Sequence, residues 1–148
     1  MKKFLLIPFL IFASMLDINA QVEFKIVTTI ESIVPMGVGR SRIIINGSEV
    51  DHSQFTTART DGKKSKQKGV KREGLKVSKF EETKMLNFYS AVGINFQNIA
   101  SNDAIITSVL NSVSAEGWEL FKIVSGVESD AGKGDGSGIF ITRYIFKR

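Results

Sequence analysis

Gly117 constrains this chain more than any other residue, because it separates two stretches with incompatible hydrophobic periods. Before it, Ile106, Val109, Leu110 and Val113 recur at helical spacing; after it, WELFKIV (118–124) has the β-branched and aromatic character of a strand. A glycine just past a helical stripe can adopt the left-handed conformation that closes the last turn. LNSVSAEGWELFKIV (110–124) therefore predicts a helix stopped by Gly117 and a strand anchored by Trp118, the only tryptophan. Ser101, Asn102 and Asp103 offer side-chain oxygens for the unpaired amides of a first turn, so the spacing starts the helix there.

The flanking segments supply a sheet. VEFKIVTTIESIV (22–34) is rich in β-branched residues and ends at Pro35; PMGVGRSR is a glycine turn, and 42–45 returns as a second strand before the Asn46-Gly47 turn signal. IFITRYIFKR (139–148) closes the chain as a strand with Phe140, Thr142, Tyr144 and Phe146 on one side, after a long glycine-rich connection at 125–138. FEETKMLNFYSAV (80–92) fits both periods. Met85, Phe88, Tyr89 and Val92 share a helix face, whereas Phe80, Leu86 and Phe88 share a strand face. The helix is preferred, because 86–94 echoes 110–118 with Leu, Asn, Ser, Ala and Gly at the same spacing. The expectation is an α+β fold: a small antiparallel β-sheet with one or two helices packed on one face. A short helical turn is expected around Phe55.

The first twenty residues, MKKFLLIPFLIFASMLDINA, have a basic start, a short apolar run and a small residue at the end, the layout of a secretory signal peptide. They predict cleavage after Ala20 and a periplasmic or secreted protein, with an uncleaved membrane anchor as the alternative reading. The remainder, 21–148, has the size of one domain. No cysteine is present, so disulfides, thiol nucleophiles, thiolate metal sites and a cysteine-linked lipid anchor are all excluded. Stability must come from packing, for which an apolar fraction of 43% and eleven phenylalanines suffice.

The net charge of +5 is concentrated in RTDGKKSKQKGVKREGLK (59–76), inside a polar insertion at about 48–78. Arg59, Lys63, Lys64, Lys66, Lys68, Lys71, Arg72 and Lys76 face only Asp61 and Glu73. No aromatic residue interleaves with them, so the stacking platforms of single-stranded nucleic-acid binders are missing; of polyanions, phosphates of an anionic envelope surface fit better, and a charged flexible insertion without a ligand is the simpler reading. Arg40 and Arg42, with glycine amides nearby, are further candidate anion contacts.

The remaining motifs are incomplete, and no cofactor or metal is expected. GVESDAGKGD (126–135) places five residues before its GK where a phosphate loop has four, and Gly134 stands where Ser or Thr would hold magnesium. Its acids Glu128, Asp130 and Asp135 lack the alternating spacing and closing carboxylate of a calcium loop. In GVGRSR, Arg42 occupies the third-glycine position of a dinucleotide fingerprint. His52, the only histidine, follows Asp51 without a nucleophile elbow, and the adjacent Glu81 and Glu82 do not form an acid–base pair.

LNSVSAEGWEL, the glycine-rich gap and the basic FKR end resemble a family of small bacterial domains of unknown function, the DUF numbered four-one-seven-seven. The matching pieces are VEFKIVTT at 22–29, 110–120 and 144–148. The resemblance implies a fold and brings no activity, substrate or catalytic residue. It also marks 35–99 as an elaboration on a minimal domain.

Three functional readings follow. The first is a non-enzymatic binding module using Arg40, Arg42 and Lys63, Lys64, Lys66, Lys68, Lys71 and Arg72, with Gly117 and Trp118 as structural residues. The second is an enzyme with an unrecognised site near Arg40, Arg42, Asp51 and His52. The third is an envelope protein that self-associates through an exposed sheet edge.

Overall fold

The structure, a computed structural model, describes residues 22–34, 41–128 and 138–148. Strand β1 (Phe24–Ser32) pairs antiparallel with β2 (Arg42–Ile45), and β2 pairs antiparallel with β3 (Glu81–Lys84). A small separate hairpin joins β4 (Tyr89–Ser90) to β5 (Gly93–Ile94). Strand β6 (Glu119–Glu128) pairs with β7 (Ile139–Lys147), which also lies along the whole of β1, giving the order β3-β2-β1-β7-β6. The last strand in sequence thus lies inside the sheet, between β1, which is central, and the edge strand β6. The expected α+β fold with an antiparallel sheet is what the chain adopts.

A single-turn helix α1 (Arg72–Leu75) lies in the insertion, and the twenty-residue helix α2 (Phe96–Ala115) packs on one face of the sheet. Its apolar stripe of Ile105, Ile106, Val109, Leu110 and Val113 meets Val27, Ile43, Met85, Trp118 and Phe146. Those sheet residues share a face because side chains alternate along a strand, and Phe146, beside Lys25 in the register, is completely buried. Gly117 closes α2 as expected, with φ +87° and its amide donating to the Ser114 carbonyl at 3.0 Å. A Cβ there would meet nothing within 4 Å, so the requirement is conformational rather than one of space. No helix among the described residues is long and apolar enough to cross a membrane.

Three expectations are corrected. Residues 81–84 form an edge strand instead of helix, and the echo between 86–94 and 110–118 has no structural counterpart. The expected helical stripe fails at Val92, which is 97% exposed, whereas Thr83 lies beside the buried Ile43 in the strand register. A charged four-residue segment that needs only one partner suits a sheet edge. Helix α2 also begins earlier than Ser101-Asn102-Asp103 suggests. Asn95 is its cap, accepting the Asn98 amide on Oδ1 at 3.1 Å, and Asn102 is a buried residue inside the helix.

The expected connection at 125–138 is also shorter, because β6 runs on to Glu128. The short helical turn is found at His52–Phe55. The signal-peptide region, Arg40 and most of GVESDAGKGD lie outside the described residues.

Candidate functional site

The basic insertion folds on itself by short-range bonds. Asp51 caps the turn His52–Phe55, its Oδ1 accepting the Ser53 amide at 3.0 Å and its Oδ2 accepting from Gln54 Nε2 at 3.2 Å. Bonds from Ser53 and Gln54 to the ionised form hold this exposed carboxyl below its usual range. Gln67 Nε2 donates to Thr57 Oγ1 at 3.0 Å, tying the second half of the loop to the first. Gly74 in α1 lies against the Phe55 ring, where a Cβ would come within 3.1 Å of a ring carbon. These contacts hold the loop's shape without an apolar core of its own.

Arg59, Lys64, Lys66 and Lys68, with Ser65 and Gly69, surround an open depression of about 560 Å³. Lys63 follows a turn formed by Asp61 and Gly62, both at positive φ, and does not line the depression, while Lys71 and Arg72 begin α1 just beyond. None of these seven cations is paired with a carboxylate among the described residues. Like charges this close repel one another, and an anion in the depression removes that repulsion.

Arg42 is placed elsewhere. It lies in β2 on the face turned away from α2, makes an ion pair with Glu82 of β3, and lines a separate depression with Ser41 and Lys84. Neither Asp51 nor His52 lines that depression; both lie exposed at the start of the insertion. Glu81 and Glu82 point to opposite faces of β3, so they do not work together on one group.

Sequence reasoning missed two features. A cleft of about 640 Å³ opens between α2 and the β2–β3 end, lined among others by Ser108, Val109, Ser112, Ile45, Lys79 and Phe80. Its chemistry is modest: Ser112 Oγ donates to the Ser108 carbonyl, Ser48 Oγ donates to the Lys79 carbonyl, and Lys25 is held by Glu116 at 2.6 Å. Ser108 and Ser112, four apart beside the apolar stripe, were the available signal.

The second missed feature is a polar lock beneath α2. Asn102, fully buried, accepts the Leu86 amide on Oδ1 at 2.8 Å and donates through Nδ2 to the Leu86 carbonyl at 2.8 Å and to Glu31 Oε1 at 3.2 Å. Asn98 Nδ2 donates to the Asn87 carbonyl at 2.9 Å, and Asn87 Oδ1 accepts from Ser41 Oγ at 3.1 Å. Asn98 and Asn102 thus supply helix α2 with side-chain partners for a segment that has left the sheet, while the Asn95 side chain caps the helix itself.

Burial raises the pKa of Glu31, the Asn102 bond opposes the shift, and the nearby Asp103 adds to it. The folded protein therefore holds the Glu31 proton more tightly than the unfolded chain does. The linked stability is present below the ordinary carboxylate value and is lost as pH rises through the folded value. Glu31→Gln keeps an acceptor for Asn102 without the charge, so it should melt higher than wild type at about pH 7, the gap closing by about pH 4. Thermal melts at both pH values check this; a gap that stays constant would place the effect outside Glu31 ionisation.

Trp118, at 8% exposure, precedes β6 and sits in the core with Lys25 Nζ 4.7 Å and the Arg148 guanidinium 4.4 Å from its ring centroid. Arg148 Nε also donates to Glu23 Oε2 at 2.9 Å, joining the last residue to the start of β1. Among the described residues no group of three His, Asp or Glu side chains is placed to hold a metal ion. No family model, no curated protein and no solved structure matches the chain.

Proposed function

We propose that this protein is an exported, non-enzymatic binding module whose basic insertion docks on an anionic envelope surface, with phosphate groups as the recognised chemistry. The observation that carries this reading is the group of seven cations in the insertion that have no carboxylate partner among the described residues, four of them around one open depression. Solvated lysines on an ordinary surface are interspersed with acids; here Asp61 and Glu73 are the only acids in 59–76. The insertion is tied internally through Gln67, Phe55 and Gly74, so it presents a shaped surface. The likeness of its helix-to-strand stretch to small bacterial domains of unknown function is proposed as a family relationship and adds no activity.

The enzyme reading gains no comparable support, because Arg42 is engaged with Glu82 and Asp51 caps its own turn. Each lysine held near an anionic surface contributes about 1 kcal/mol. The triple variant Lys64→Gln, Lys66→Gln, Lys68→Gln should therefore bind vesicles containing anionic lipid about 100-fold more weakly, with a melting temperature no lower than wild type. Sedimentation with vesicles measures it. Equal binding by variant and wild type would make the insertion a passive solvated loop.

A further inference from the structure

The two edges of the sheet are built differently. Strand β3 is four residues long and reads EETK, and its Glu82 is paired with Arg42, so this edge is short and charged. Strand β6 has ten residues, all exposed, and among the described residues its outer edge has no strand partner. Beyond a bulge between Leu120 and Lys122 it runs regularly to Glu128. A long apolar edge of this kind presents unpaired amides and carbonyls to any strand that can match it.

Its side chains are also uncovered. Ile123 and Val127, on the α2 side of the sheet next to Tyr144 and Phe140, are 53% and 60% exposed, because α2 does not reach that far. On the opposite side Val124 is exposed, as is Phe121, whose ring stands edge-on to that of Phe24 at 6.2 Å.

The charges of the strand point to what pairs with it. Lys122 and Glu128 lie on the same face, away from α2, and neither has an ion-pair partner among the described residues. Six residues of extended strand separate them by about 20 Å, too far to pair within one copy. Two copies of β6 related by a two-fold axis at Ser125 bring them together. Lys122 of each copy then stands opposite Glu128 of the other, Ile123 opposite Val127, Val124 opposite Gly126, and Ser125 opposite itself. Directly opposed opposite charges and β-branched pairs are the contacts that stabilise antiparallel strands.

We infer that this chain forms a two-fold dimer in which β6 pairs antiparallel with β6 of a second copy about Ser125, making one continuous ten-stranded sheet. The inference is independent of the basic insertion and goes beyond the envelope-binding reading.

Sedimentation velocity on the protein purified after expression of the full chain tests it. The wild type should sediment as a dimer that dissociates on dilution. Lys122→Glu or Glu128→Lys alone should weaken dimerisation roughly 10- to 100-fold, because two like-charge pairs replace two opposite ones. The double variant Lys122→Glu, Glu128→Lys should restore it, which also shows that the single variants fold. A monomer at every concentration overturns the dimer. A dimer unmoved by the single reversals, or a double variant that stays monomeric, overturns the register.

Discussion

Trp118→Ala lowers the unfolding free energy by roughly 3–5 kcal/mol, measured by urea denaturation with an unchanged slope. The indole is buried where α2 ends and β6 begins, so its loss leaves a cavity that the flanking elements cannot close independently. Lys25 and Arg148 also lose the aromatic faces on which they sit. Trp118→Phe keeps an aromatic face for the two cations and should recover the larger part of the loss. If Trp118→Ala instead unfolds like wild type, the ring contributes no packing and Trp118 belongs to a binding surface.

Asn102→Ala is expected to cost about as much, roughly 3–5 kcal/mol, although it removes few atoms. The substitution strips partners from the Leu86 amide and carbonyl and from the half-buried Glu31 carboxylate together. Each orphaned buried group costs about 1–3 kcal/mol. Asn102→Asp should be at least as harmful, because it sets a second carboxylate against Glu31 and loses the donor to Leu86. Combining Asn102→Ala with Glu31→Gln should cost less than the two single effects added, since the carboxylate most harmed by the first change is absent. Strict additivity would show that Asn102 acts on Leu86 alone.

Elements that obey one period were legible before the structure. The stripe from Ile106 to Val113, its stop at Gly117 and the alternation in IFITRYIFKR all carry through to α2 and β7. Residues 80–92 depart from the helix that their spacing predicts because their order is imposed by distant partners. Leu86 is fixed by Asn102, and Asn87 by Ser41 and Asn98, none of which a local pattern can name. Asn102 itself looked like a cap for the same reason: a short polar side chain satisfies backbone groups at a helix start or across a packed interface. The clustering of lysines between Arg59 and Lys76 was visible in composition, while the depression they surround and the separation of Arg42 from them needed the fold.

The central claim is that the basic insertion, held on an independently packed sheet and helix, binds phosphate-bearing surfaces by charge. The most direct measurement is the partitioning of the wild-type protein onto anionic vesicles between about 0.05 and 0.5 M salt, with neutral vesicles as reference. The account predicts strong binding at low salt that falls steeply as screening increases, and none to neutral lipid. Binding that ignores salt, or that is equal on neutral vesicles, would contradict it.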